Sequence, residues 1–402
     1  GHPARHFNVG QYRRIQCEGL PFQDAHFFDP GNPEGQEARN RALCAALDDV
    51  EAWLVTDEAQ VAMVDATNST EARRQQLIQR FRGRWDYIFV ESVCNDREVL
   101  ERNYKLKLLY SPDYAGMEPE RALQDFRDRI SKYEAAYETI ANRSIHYIKL
   151  IDMVTGRGHM DVNRISGYLP GKMVMYLMQI CRALGQRRRI WLTRHGESEF
   201  NMLGKIGGNA GLSSRGAVYA ALLPQILLDR VPAAPEGARE PVAVWTSTLA
   251  RTIMTAARLP FPKVQWKALD EIQSGICDGM TYDEIRARLP GEFELRRRDK
   301  LRYRYPSGES YMDVVQRLEP VVTELESERD CVCIVSHQAV LRVLYGYFMN
   351  RPLEEVPTLE IPLHTIIELT PQPDGTMAEA QFQVDVDLAM RSKALLSELF
   401  SA

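Results

Sequence analysis

Three apolar runs in this chain end in the same way, and that repetition constrains its fold more than any other feature. Ile190-Trp191-Leu192 leads into Thr193-Arg194-His195-Gly196, Val242 to Trp245 into Thr246-Ser247, and Cys331 to Val335 into Ser336-His337-Gln338. The second run is followed by Leu249-Ala250-Arg251-Thr252 and the third by Ala339 to Leu344, which has helical character. Short apolar runs closed by polar residues read as buried strands, and strands alternating with helices read as a sheet with crossover connections. Such sheets bind ligands outside the carboxyl ends of their strands, where each of these runs places a charged or chargeable group. A neutral imidazole can attack phosphorus, and the phosphohistidine that results is open to water in a second step. A guanidinium offers a planar fork of donors to phosphoryl oxygens. His195 is therefore the candidate nucleophile and Arg194 the candidate clamp. Arg-His-Gly alone would arise by chance in roughly a few per cent of chains this long, so the argument rests on the repeated layout.

The set Arg194, His195, Arg251 and His337 resembles the histidine phosphatase superfamily, in which two histidines and two arginines surround the transferred phosphoryl group. The segments Gly204 to Gly208, Leu212-Ser213, Trp245 to Ser247, Trp266-Lys267, Asp270 to Ile272, Met280 to Tyr282, Tyr303 to Pro306, Gly308 to Tyr311, Gln316 to Pro320 and Pro362 to Thr365 look like the bisphosphatase half of the bifunctional 6-phosphofructo-2-kinase/fructose-2,6-bisphosphatase family. The resemblance implies that Glu271 protonates the leaving alcohol oxygen, which requires a carboxyl kept protonated by burial or a nearby phosphate. It implies that Tyr282, Arg296, Lys300, Arg304 and Tyr311 surround the second phosphate of the sugar. It places Asn201, Ile206, Gly207, Gln338 and Arg342 nearer the reacting phosphate or the sugar ring. The charge of an in-line phosphoryl transfer is expected to be balanced by Arg194, Arg251 and a protonated His337, with no cofactor.

The amino-terminal half alternates apolar strands (His6–Gly10, Val61–Val64, Tyr87–Val93, Tyr147–Ile151) with helical stretches at Gln36–Val55, Thr70–Arg82, Arg97–Leu106 and about Glu118–Glu138, the rhythm of a parallel sheet with crossover helices. Asp65 ends a strand either as a carboxylate serving Mg²⁺ or as the cap of the next helix. Phe7 to Arg14, Asp65 to Asn68, Glu91 to Cys94, Ser111 to Tyr114 and Val162 to Arg164 resemble the kinase half of the same family. The resemblance puts Arg14, Arg41, Thr67, Arg73, Arg164 and Tyr168 on fructose 6-phosphate positions and implies ATP and Mg²⁺ as cofactors if this half is active.

Two departures bear on that activity. Gly1 to Arg5 looks like the opening of the family's phosphate-binding loop, yet His6 follows where Gly-Lys-Thr should stand. The expectation is that Arg5 and His6 are not true neighbours, with a real truncation as the alternative, and that the first strand of the sheet and the helix behind the loop are missing. Leu108 takes the place of the family lysine that assists phosphoryl transfer, and Lys107, one residue away, would face the other side of a strand.

The fold class expected is α/β in two domains. Residues 1–186 form a P-loop-kinase-like parallel sheet with crossover helices, and residues 187–402 a histidine-phosphatase domain. Arg187 to Arg189 read as an exposed linker after a helix at about Lys172–Leu184, and the segment after Pro371 as a short amphipathic helix through Leu388, Met390, Leu395 and Leu396. A net charge of −5 leaves no global basic surface for nucleic acid. Seven cysteines without a Cys-x-x-Cys pair read as reduced core thiols of a cytoplasmic protein, and no apolar stretch is long enough for a bilayer. The expected partners are sugar phosphates, ATP and a second copy in a homodimer, as is common in the family. The expected activity is hydrolysis of the 2-phosphate of fructose 2,6-bisphosphate. The alternatives are another histidine-type sugar phosphatase, a phosphoglycerate mutase, or an inactive regulatory homologue.

Overall fold

The computed structural model describes residues 3–17, 23–56, 59–153, 158–183, 188–233, 239–372 and 376–391. It divides into two compact units, Gly1–Arg182 and Ala183–Ala402. Among the described residues no helix is long and apolar enough to cross a membrane.

In chain order the first unit contains β1 (Ala4–Asn8), α1 (Val9–Gln16), α2 (Pro33–Leu54), β2 (Val61–Asp65), α3 (Glu71–Phe81), β3 (Phe89–Val93), α4 (Arg97–Tyr110), α5 (Pro119–Ala135), β4 (Tyr147–Ile151), β5 (His159–Asn163) and α6 (Tyr168–Ala183). Its helices begin where local chemistry allows. Asn8, Asn32, Thr70 and Asp96 each accept a hydrogen bond from a backbone amide of the first turn. Pairing is parallel in β1–β2 and in β3–β4, as the strand–helix rhythm implies, while β5 adds antiparallel to β4. The strands form two sheets, β1-β2 and β3-β4-β5. Val64 of β2 and Phe89 of β3 nonetheless share one apolar cluster with Leu43, Leu47 and Leu77.

Several expectations change here. Strand β1 begins at Ala4 rather than at His6 and pairs with β2 without a break from Ala4↔Val61 to Asn8↔Asp65. The strand ends at Asn8, because Asn8 caps a helix, so Val9 and Gly10 belong to α1. Leu108 and Lys107 lie on α4 rather than on a strand, so they are separated by about 100° around a helix instead of facing opposite sides. Lys107 is exposed and Leu108 half-buried. Helix α6 starts at Tyr168 and takes Pro170 into its first turn, where the missing amide costs nothing.

The second unit runs β6 (Ile190–Arg194), α7 (Glu199–Met202), α8 (Ser214–Leu228), β7 (Val242–Thr246), α9 (Ala250–Ala256), β8 (Lys263–Gln265), α10 (Tyr282–Arg288), α11 (Pro290–Arg298), α12 (Tyr311–Ser327), β9 (Cys331–Ser336), α13 (Gln338–Phe348), β10 (Thr365–Pro371), β11 (Met377–Gln383) and α14 (Val386–Arg391). The sheet order is β11-β10-β6-β9-β7-β8, with β6, β9, β7 and β8 parallel and β10 antiparallel to both its neighbours. Side-chain alternation splits the core between the two faces. Ile190, Leu192, Val332 and Ile334 pack with Leu318, Val321 and Leu341 of α12 and α13, whereas Trp191, Val244, Cys333 and Val335 pack with Tyr219, Leu223 and Leu227 of α8. Each fully buried aliphatic side chain of this kind contributes about 1.5–3 kcal/mol.

Arg188 and Arg189 do not form an exposed linker. Arg188 is buried and donates to the carbonyls of Leu325 and Glu328 at the carboxyl end of α12, where a cation meets the negative pole of the helix. Arg189 pairs with Glu368 at 3.2 Å. At the other end of the unit, α14 buries Val386 and Ala389 and leaves Leu388 exposed, because its turn puts them on opposite faces. Leu395 and Leu396 fall outside the described residues, as does Arg187. Cys277, Cys331 and Cys333 are buried, but Cys44 is exposed.

Candidate active site

The three neighbouring strands β6, β9 and β7 end side by side. The His195 amide donates to the Ser336 carbonyl at 3.0 Å, tying the end of β6 to that of β9. Gly196 then turns the chain against the first turn of α8, where an added Cβ would meet the Gly216 carbonyl oxygen at 2.5 Å. Its amide donates to Thr255 Oγ1 at 2.9 Å, and the Glu197 amide to His364 Nε2 at 3.0 Å.

This scaffold sets the state of His195. Its Nδ1 lies 2.7 Å from the Gly196 carbonyl, a contact that requires Nδ1–H and leaves the lone pair on Nε2. Burial, and then the charges of Arg251 and Arg194, push its pKa down to about 3, so the ring is neutral at physiological pH. His337 is the residue before α13, with its ring centroid 5.1 Å from that of His195. Its Nε2 lies 2.8 Å from Ser247 Oγ, and its Nδ1 is buried with no partner among the described residues. Without a phosphoryl group in the site, burial, then the neighbouring His195, Arg251 and Arg194, hold His337 well below the usual histidine range.

Arg194 donates to the Ile361 carbonyl at 3.2 Å, and its buried Nε has no partner among the described residues. Burial brings it down to about 10, opposed by Glu271. Arg251, buried at the start of α9, donates to the Gly208 carbonyl at 2.7 Å. Burial lowers its pKa as well, again opposed by Glu271. Glu271 Oε1 accepts from the Ile272 amide at 3.0 Å and from the Ala339 amide in the first turn of α13 at 3.2 Å. His195, His337, Arg194, Arg251 and Glu271 thus share one site. Two of the buried polar atoms without a partner among the described residues, Arg194 Nε and His337 Nδ1, belong to this site.

A second basic group lies beside it. Arg296 donates to the Tyr282 hydroxyl at 3.0 Å and stacks over the rings of Tyr282 and Tyr305. Arg342 donates to the Tyr311 hydroxyl at 3.0 Å and to the Leu359 carbonyl. Lys300 donates to the Pro357 carbonyl at 2.8 Å, and burial, then Arg342 and Arg296, bring its pKa down to about 8. Arg342, expected near the reacting phosphate or the sugar ring, thus also serves this group and acts electrostatically on Arg194. Arg304 is not brought in. It is exposed and bonded to Asp313 in the first turn of α12, because that carboxylate is its nearest counter-charge.

Asn201 closes a capping box with Ser198, its Oδ1 accepting from the Ser198 amide and hydroxyl. Ile206 exchanges backbone bonds with Met280 and Gly279, and Gly207 takes φ +70° with Asp278 where a Cβ would stand. Gln338 opens α13. Ser247, Thr255 and His364 were not singled out from the sequence as site residues. Ser247 and His364 stood inside recognisable segments, but nothing in their spacing identified a partner 90 or 167 residues away.

The kinase-half positions are engaged locally. Asp65, exposed at the end of β2, accepts from Asn8 Nδ2 at 3.1 Å and faces His6 at 3.5 Å. Arg14 lies 3.6 Å from Asp113, Arg41 pairs with Glu37 of its own helix, and Arg73 donates to Asn40. Thr67 is exposed after β2, Arg164 has φ +54°, and Tyr168 opens α6. The turn from β1 into α1 is capped by Asn8 and carries neither Gly-Lys-Thr nor another lysine, so these residues do not fit a triphosphate cradle.

Residues 1–183 match the family model described as 6-phosphofructo-2-kinase, and residues 190–383 the one described as histidine phosphatase superfamily (branch 1). A 6-phosphofructo-2-kinase/fructose-2,6-bisphosphatase of Arabidopsis thaliana is 50% identical over 372 residues, 92% of this chain and 48% of that protein. The protein of the same name from Gallus gallus is 45% identical over 386 residues, 95% of this chain and 79% of its own length. The 6-phosphofructo-2-kinase/fructose-2,6-bisphosphatase 1 of Rattus norvegicus is 43% identical over 384 residues, 94% of this chain and 78% of its own length. The chain therefore spans about half the length of the plant relative and most of each animal one. Identity of this order running through both units means that the chain belongs to the 6-phosphofructo-2-kinase/fructose-2,6-bisphosphatase family.

Proposed function

We propose that the second unit hydrolyses the 2-phosphate of fructose 2,6-bisphosphate, giving fructose 6-phosphate and phosphate. The observation that carries this reading is the pairing of a neutral, Nδ1-anchored His195 with two buried arginines and a second basic group beside them. His195 Nε2 forms a bond to phosphorus as the bond to the sugar oxygen breaks, and the oxygen takes a proton from Glu271. The Glu271 carboxylate then removes a proton from water, whose oxygen displaces His195 from phosphorus. Arg194 and Arg251 neutralise the equatorial oxygens throughout. A phosphoryl anion selects the form of His337 with Nδ1–H facing it, and the Ser247 hydroxyl then serves Nε2. Arg296, Lys300, Tyr282, Tyr311 and Arg342 hold the second phosphate or the sugar, with Asn201, Ile206, Gly207 and Gln338 along the way to it; Arg304 is at most peripheral.

The proposed division is 1–186 for the kinase-like domain and 187–402 for the phosphatase. Sugar phosphates, and for the first unit ATP, are the proposed ligands, in a cytoplasmic homodimer. Asp65 is the residue that would serve Mg²⁺ through water. With no triphosphate cradle at the β1–α1 turn, the phosphatase is the dominant activity. Brief mixing with substrate labelled on the 2-phosphate tests the reading. Acid-labile, base-stable label on His195 supports it; label on His337 or no phosphoprotein overturns it.

A further inference from the structure

We infer that Arg317 is a positioning residue that holds the Glu271 loop in register with the nucleophile, an inference that rests on the reading of Glu271 as the proton donor. Arg317 lies on α12 and divides its guanidinium between the backbone just before Glu271 and the carboxylate of Glu309. It donates to the carbonyl of Ala268 and, at 2.7 Å, to that of Asp270, the residues flanking Leu269 just before Glu271. Its remaining donors engage Glu309 at 2.9 and 3.3 Å. Glu309 in turn grips the other end of the same segment: its carboxylate accepts from the Gln273 amide at 3.0 Å, and its own amide donates to the Gln273 carbonyl at 2.9 Å. One ion pair therefore fixes the backbone on both sides of Glu271, at residues 268, 270 and 273.

The segment before Glu271 is also held by Ser336, whose hydroxyl donates to the Leu269 carbonyl at 2.8 Å, and by Thr248, which donates to the Asp270 carboxylate, but neither bond reaches Glu271 or the residues after it. The Glu271 carboxylate is aimed by two amides, its neighbour Ile272 and Ala339 of α13, and both contacts depend on where the backbone of residue 271 stands. A shift of about 1 Å at a proton donor is enough to cost a large factor in rate without changing what binds. Glu271, Glu309 and Arg317 also line a common open pocket of about 310 Å³, so shortening Arg317 exposes space already open to solvent rather than leaving a sealed cavity in the core. Lysine cannot replace the fork, since one ammonium cannot serve two carbonyls and a carboxylate in fixed directions.

The test is a double-mutant cycle on the whole chain with fructose 2,6-bisphosphate, measuring kcat and KM for R317K, E271Q and the double variant. R317K is expected to lower kcat by about 10-fold or more with KM within about 2-fold. In the E271Q background the same change is expected to alter kcat by less than about 2-fold, because the residue it positions no longer gives a proton. E309Q, which keeps the shape and removes the charge, is expected to follow R317K with a smaller loss and stands in for it should R317K not fold. Equal losses from R317K in both backgrounds would show that Arg317 supports the fold in general and overturn the inference while leaving the Glu271 reading intact. An unchanged kcat in E271Q would overturn that reading and the inference with it.

Discussion

The rings of His195 and His337 lie with their centroids 5.1 Å apart and their planes inclined at 55°, one at the end of β6 and the other at the end of β9. Both are held neutral by burial, yet they are anchored differently, His195 through Nδ1 to a carbonyl and His337 through Nε2 to a hydroxyl. The free nitrogens are therefore Nε2 on the first and Nδ1 on the second. That asymmetry suits the proposed roles, attack by His195 and donation by His337.

Ser247→Ala should lower kcat about 10- to 100-fold, since it strips His337 of the group that fixes its ring and leaves a buried nitrogen unpaired. Steady-state kinetics on the bisphosphate checks this, and an unchanged kcat would mean that the Ser247 contact has no part in catalysis.

Lys300 should make substrate binding sensitive to alkali. Its pKa of about 8 means that the ammonium is lost as pH rises past that value, and with it the contact proposed for the second phosphate. KM should climb between about pH 8 and 9, and Lys300→Arg, which stays charged, should flatten the profile. For stability the sign is opposite. The unfolded lysine still binds its proton up to about 10.4, so this group makes the fold more stable as pH rises through the interval.

Arg296→Ala should raise KM by about 10- to 100-fold, corresponding to roughly 1.5–3 kcal/mol for a charge-assisted contact, with a smaller effect on kcat. Arg304→Ala should do much less, because its guanidinium is exposed and committed to Asp313. Parallel KM measurements decide it; a larger loss from Arg304→Ala would mean that Arg304 swings in to meet the substrate.

Acid should destabilise the fold through buried histidines. Burial and Arg215 hold His364 at about 4, where its Nε2 accepts from the Glu197 amide, whereas an unfolded histidine titrates near 6.5. As pH falls below about 6.5 the unfolded chain takes up the proton first, so stability present above that point is lost progressively towards 4. The loss from His364 is on the order of 3 kcal/mol. Tm followed over this range should fall less steeply in His364→Gln; an equal slope would show that His364 is already charged in the fold.

Phosphorylation of fructose 6-phosphate by this chain with ATP and Mg²⁺ should be slow relative to its phosphatase turnover. The β1–α1 turn offers no lysine and no glycine-rich loop, and Leu108 of α4 stands where the family resemblance expects a lysine. Coupled assays of both reactions on the same preparation check it, and a kinase rate equal to the phosphatase rate would show that another part of the chain cradles the triphosphate.

The local motifs of the site were legible because their chemistry is local. Strand ends at Arg194, Thr246 and Ser336, the capping box from Ser198 to Asn201, and the cap at Thr70 depend on residues within a few positions of one another. Those short-range signals, with the family resemblance they carry, were enough to place His195, Arg194, Arg251, Glu271 and His337 in one site. Tertiary structure alone decided what state those groups are in and which of their neighbours serve them. Protonation follows burial and charge, and His337 is held towards its neutral form by a closed core, by His195, and by Arg194 from the end of β6 and Arg251 from α9. Partner choice follows proximity in space. Arg304 turned to Asp313, Arg188 reached the end of α12, Arg342 joined Tyr311, and Arg317 took hold of the Glu271 loop across 47 and 49 residues of sequence. Nothing in a linear pattern of charges distinguishes an arginine that meets a phosphate from one that meets a carbonyl, because both are settled by which oxygen the fold brings within about 3 Å.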